Sequence, residues 1–84
     1  MDAPRPLDPA IEGPLDRETA LAFLDRAGEL LDLGQFAEAA RHYLRAMALM
    51  PDRVQPVRSL ARLMEAAGNP SESLRLWRQV LEMA

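Results

Sequence analysis

AGELLDLGQFAEAARHY at residues 27–43 and ARLMEAAGNPSESLRLW at residues 61–77 are one passage written twice. At an offset of 34, Ala27 falls on Ala61, Gly34 on Gly68, Glu38 on Glu72 and Arg41 on Arg75. Apolar character is kept where Phe23 meets Val57, Leu30 meets Met64, Tyr43 meets Trp77, Ala46 meets Val80 and Met47 meets Leu81. Within each copy the apolar residues recur at three- and four-residue steps on both sides of the glycine. The glycine stands where a helix can stop in the left-handed conformation. Each copy therefore reads as helix, tight turn, helix, and a self-period of this length marks a helical repeat.

Working outward, Asp16 can cap a first helix that carries Ala20, Phe23, Leu24, Ala27, Leu30 and Leu31 and stops at Gly34. A second helix carries Phe36, Ala39, Ala40, Tyr43, Leu44, Met47 and Met50, and Pro51 ends it. Asp52-Arg-Val-Gln55 has capping-box spacing for a third, with Pro56 tolerated in its first turn and Val57, Leu60, Ala61, Met64 and Ala67 on its apolar face. Asn69-Pro-Ser-Glu72 is a stronger start for a fourth: Asn69 caps, Pro70 takes the first helical position and Glu72 can reach back to the cap amide. No strand pattern occurs. The fold class expected is all-α, four helices in two antiparallel hairpins. Pro4, Pro6, Pro9 and Pro14 remove backbone donors, so residues 1–15 read as an extended arm ahead of a repeat domain over 16–84.

These residues resemble the tetratricopeptide repeat family over about 65 of the 84 positions, from Ala20 to Ala84. The first repeat covers about 20–53. In it Phe23 stands at the usual Trp site, and Ala27 is the small residue at the helix crossing. Leu30 fills the Tyr site, and Gly34 and Phe36 form the turn. Ala39, Tyr43, Ala46 and Pro51 complete the pattern. The second repeat, about 54–84, matches with Leu60, Ala61, Met64, Gly68, Ser73, Trp77 and Val80. Arg26, Val57 and Ser73 replace the usual Leu, Trp and Ala and should loosen packing. The resemblance implies a short right-handed solenoid and a binding scaffold whose concave groove is lined by the first helix of each repeat. The matching groove positions are Leu21, Leu24, Asp25, Gly28, Leu31 and Asp32, then Gln55, Arg58, Ser59, Arg62, Glu65 and Ala66. The carboxylate clamp of some members, built from lysines and asparagines, finds no lysine here, and Asp25 and Gly28 stand where clamp asparagines could be.

Composition is that of an ordinary globular domain. A chain of 84 residues, 49% hydrophobic and 27% charged, has room for one core and none for a large interdomain cleft. There is no cysteine, so no disulfide framework, thiolate zinc site or cysteine nucleophile is available. All ten basic residues are arginine, and the net charge of −3 argues against a nucleic-acid partner. No apolar run approaches a membrane span and the first residues do not resemble a signal peptide, so the expected compartment is the cytoplasm. No nucleotide-binding, serine-hydrolase or zinc pattern is present, so neither an enzyme nor a cofactor is expected.

Arg58 and Arg62 are four apart on one helix face and repel unless neutralised. Asp25, Asp32 or Glu65 could do this internally, or the carboxylate of a partner could. Leu21, Leu24 and Leu31 make an apolar half-groove that is either a peptide seat or is covered by the arm through Leu7, Ile11 and Leu15. His42 is expected to be a surface or packed histidine, and Met47, Met50, Met64 and Met83 core filler. On the fourth helix Leu74, Trp77, Leu81 and Ala84 form one stripe and Ser73, Leu76, Val80 and Met83 another; one can pack inward and the other should face water. That stripe is the expected interface, with a second copy in a homodimer or with a subunit of a hetero-complex.

Overall fold

Four helices follow in chain order: α1 (Pro9–Asp32), α2 (Phe36–Leu49), α3 (Val54–Ala66) and α4 (Pro70–Met83). The computed structural model describes the backbone of residues 9–84 and side-chain surroundings from Arg17 onward. Packing follows the chain: α1 lies on α2, α2 on α3 and α3 on α4, with the two hairpins joined along the α2–α3 seam. The protein is all-α, and among the described residues there is no strand.

The turns form as their glycines dictate. Gly34 and Gly68 have φ of 77° and 79°, the left-handed region that L side chains resist. Around the first, the Gln35 amide donates to the Leu30 carbonyl at 2.9 Å and the Gly34 amide to Leu31 at 2.9 Å. Around the second, Asn69 donates to Met64 at 2.8 Å and Gly68 to Glu65 at 3.1 Å. These pairs satisfy carbonyls in the last turns of α1 and α3 and turn the chain back on itself.

Helix starts depart from expectation in three places. First, α1 begins at Pro9, so residues 9–15 are helical and Asp16 lies inside the helix instead of capping it. Pro9 takes the first helical position, where its missing donor costs nothing. Pro14, in the second turn, has no amide hydrogen to donate and falls within the helix all the same. The rest of the expected arm, residues 1–8, lies outside the described residues, as do the side chains of Ile11 and Leu15. Second, α3 is capped at Arg53, not Asp52, without a side-chain hydrogen bond. Pro56 at the third helical position has no amide for such a cap to satisfy. Third, Asn69 accepts from the Glu72 amide at 3.4 Å as expected, but Glu72 turns to Arg75 instead of the cap amide. That amide is already bound to Met64.

The core is built from small and large residues in alternation. Ala20, Ala27, Ala39, Ala46 and Ala61 have no exposed surface and let the helix backbones approach. Leu24, Leu30, Tyr43, Val57, Leu60, Leu63 and Leu76 fill the space between them. Leu24 therefore belongs to the core and not to the groove. It sits one turn from Ala20 and Ala27 on the face toward α2, where the inward and groove stripes of α1 meet. Met47, Met50, Met64 and Met83 pack as half-buried filler against this core. Burial, and secondarily the Asp32 carboxylate, push the Tyr43 phenol above its usual range.

Two measurements check these points. Gly68→Ala should cost about 1–2 kcal/mol from backbone strain alone, since a Cβ there meets nothing within 4 Å. Gly28→Ala, inside α1 with equally open space, should gain about 0.5–1 kcal/mol. Urea unfolding midpoints at constant slope read both. The raised Tyr43 value means that the folded state prefers the neutral phenol. Its contribution is complete below about pH 10, where the unfolded phenol begins to ionise, and is lost as pH rises through the folded value. The chain has one tyrosine, no lysine and no cysteine. The fall in stability above pH 10 should therefore disappear in Tyr43→Phe.

Candidate functional site

The expected groove residues are mostly at the surface but are not gathered in one place. Asp25, Asp32, Gln55, Arg58, Arg62, Glu65 and Ala66 are exposed, and Leu21 is 45% exposed. Gly28, Leu31 and Ser59 are half-buried. Of this set, Leu21 and Gln55 line one shallow cleft of about 170 Å³, together with Arg17, Met50 and Arg53. Among the described residues neither Arg58 nor Arg62 reaches a carboxylate at ion-pair distance, so Asp25, Asp32 and Glu65 do not neutralise them. Acidic residues of α1 make no metal cluster among the described residues; Glu29 pairs with Arg26 at 2.9 Å.

His42 is a packing residue. Its ring meets Phe23 edge-on at 5.7 Å, and Nδ1 lies 2.8 Å from the Glu38 carbonyl, which can only accept, so Nδ1 carries the hydrogen. The Arg45 guanidinium stands 5.7 Å from the centre of the same Phe23 ring. This cluster ties α1 to α2.

The repeat supplies an internal control for the C-terminal face. Every position of α4 has a counterpart in α2, and α3 packs on α2. Tyr43 is 6% exposed and Ala46 fully buried, while their counterparts Trp77 and Val80 are half-buried. Ala40, Met47 and Met50 are half-buried, while Leu74 is 55% exposed, Leu81 75% exposed, and Ala84 exposed. The stripe of Leu74, Trp77, Leu81 and Ala84 is thus the outward one. Ser73 and Leu76 are buried, with Val80 and Met83 half-buried beside them.

The opposite end of the molecule is built differently. The row of α3 that is buried is Pro56, Leu60 and Leu63. Its counterpart in α1 is Ala22, Arg26 and Glu29, all exposed, with the last two paired to each other. Among the described residues the outer row of α1 thus ends in an ion pair where the outer row of α4 is apolar.

Sequence reasoning missed a polar unit at the apolar end. Glu65 Oε2 accepts the Trp77 indole N–H at 2.9 Å and the Ser73 hydroxyl at 3.3 Å. In the first repeat the same three positions are Leu31, Tyr43 and Ala39. Three separate departures between the repeats are one hydrogen-bonded group, and the self-alignment alone could have shown them as a set. Ser73, 3% exposed, is satisfied by Glu65, so its replacement of alanine does not loosen packing as expected. Together Glu65, Gly68, Pro70, Ser73, Leu74 and Trp77 line an open depression of about 480 Å³.

No protein-family model matches the chain, and neither does any curated protein. Among the described residues no helix is long and apolar enough to cross a membrane.

Glu65→Leu alone should cost about 1–2 kcal/mol, because it leaves the Ser73 hydroxyl and the indole N–H without an acceptor. Adding Ser73→Ala, which restores two of the three first-repeat residues, should recover part of that loss. A coupling of about 0.5–1 kcal/mol in the double-mutant cycle would measure the hydrogen bond; additivity would show that it contributes nothing.

Proposed function

We propose that the chain is a non-enzymatic protein-interaction module of the tetratricopeptide repeat type, a small adaptor or scaffold subunit that holds a partner protein or peptide on its α4 face. The observation that carries this is the internal control: α4 repeats the apolar pattern of α2, and among the described residues no helix covers it as α3 covers α2. Leu81 is 75% exposed where Met47 is half-buried, and Leu74 is 55% exposed where Ala40 is half-buried. Burying such side chains is worth about 1.5–3 kcal/mol each, enough to hold a partner. The 34-residue period, the paired glycine turns and the buried alanines at equivalent crossings support the repeat type. The packing of His42 and the pairing of Glu29 with Arg26 support a non-catalytic role.

Self-assembly by head-to-tail stacking of copies is disfavoured by the same comparison. A copy stacked on α4 would present α1, whose outer row is Ala22, Arg26 and Glu29 in place of Pro56, Leu60 and Leu63.

A photo-cross-linking residue placed at Leu81 tests the reading in living cells. A discrete cross-linked species is expected, reduced at least about tenfold by Leu74→Glu. The same residue placed at Glu29 should give none. Equal labelling at both positions, or none at Leu81, would overturn the assignment of the face.

A further inference from the structure

The depression beside α4 carries more information than its apolar walls. Gly68, Pro70, Ser73, Leu74 and Trp77 contribute no formal charge, and Glu65 is the one ionised residue that lines it. The Glu65 carboxylate is held in place across twelve residues of chain by Trp77 and Ser73, both through Oε2. Among the described residues Oε1 accepts no hydrogen bond. An anion fixed beside an aromatic ring and an exposed leucine is the setting that suits a cation on an apolar stem: the stem lies on Trp77 and Leu74, the head meets the carboxylate and the indole face.

We infer that this depression seats an arginine or lysine side chain presented by an amphipathic helix of a partner protein. The inference rests on the proposed binding role of the α4 face and names the chemistry of the partner. A helix is the form of the occupant because α3 is what covers the equivalent face of α2, and because Leu31, the counterpart of Glu65, is half-buried in that arrangement. A second copy fits poorly in either orientation. Its α1 would bring Glu29, paired to Arg26, toward Glu65. Its α4 would set one depression against another and leave both unfilled.

The protein contains a natural probe. The α3 segment, residues 53–67, buries Pro56, Leu60 and Leu63 and exposes three arginines, Arg53, Arg58 and Arg62. It has no tryptophan, and Trp77 is the single tryptophan of the chain. A synthetic 53–67 peptide titrated into the full chain should therefore change Trp77 emission alone. Saturable binding is expected. It should weaken about tenfold when the peptide carries Arg53→Gln, Arg58→Gln and Arg62→Gln, and stay within about threefold when all three are lysine. Binding should fall with salt. In Glu65→Gln the arginine and glutamine peptides should bind alike. Peptide substitutions cannot unfold the protein, so the wild-type titrations decide even if Glu65→Gln loses helicity.

Equal binding of all three peptides to the wild-type chain would overturn the cationic seat and leave the α4 face as an apolar binding surface. No binding of any peptide, with the Leu81 cross-link retained, would overturn the helical occupant. Sedimentation showing a dimer that Leu74→Glu dissolves would put a second copy on the face and overturn the inference.

Discussion

The structure depends on a backbone conformation that occurs twice, the left-handed glycine at Gly34 and Gly68. Each reverses the chain within two residues and brings the amide after the glycine onto a carbonyl five residues earlier. Because both turns close in the same way, the two hairpins present the same positions to each other. Alanines at equivalent places reach zero exposure, and α3 meets α2 along a face that α4 then repeats. A side chain with a Cβ at either glycine would strain the turn and with it the register of everything downstream.

Local chemistry made most of this legible beforehand. The helices, the turns and the Asn69 cap follow from period, glycine and proline, which act within a few residues, whereas the crossing role expected of Ala27 comes with the resemblance to the repeat family. The start of α1 was not legible, because Pro9 and Pro14 read with Pro4 and Pro6 as one proline-rich arm, although a proline at the first helical position is tolerated. Leu24 was misplaced because a helix touching one neighbour has a narrow border between its inward and groove faces. The Glu65 group was invisible to residue-by-residue reading: its bonds span twelve positions, and a glutamate on an exposed face looks like any other. Only the joint change of Leu31, Ala39 and Tyr43 to Glu65, Ser73 and Trp77 carries the signal.

The two ends of the array differ in kind. At α1 the outer row ends in an ion pair between Arg26 and Glu29, which is satisfied where it stands. At α4 the outer row is apolar and carries an anchored carboxylate at its edge. Surface pairs of the first sort contribute little stability but do not invite company; an exposed apolar row of the second sort does. Among the described residues the outer faces of α1 and α4 therefore differ in chemistry, one paired in charge and the other apolar.

Packing in strict chain order has a further consequence for how the molecule moves. Each helix is braced mainly by its neighbours in sequence, so α4 has one main supporting seam where α2 and α3 have two. Backbone amides of α4 should open to solvent more readily than those of α2, in a gradient that runs along the chain and not outward from a centre. A helix seated on α4 would turn the terminal member of the array into an interior one, and slowed hydrogen exchange would spread from α4 toward α3 while α1 stayed as it was.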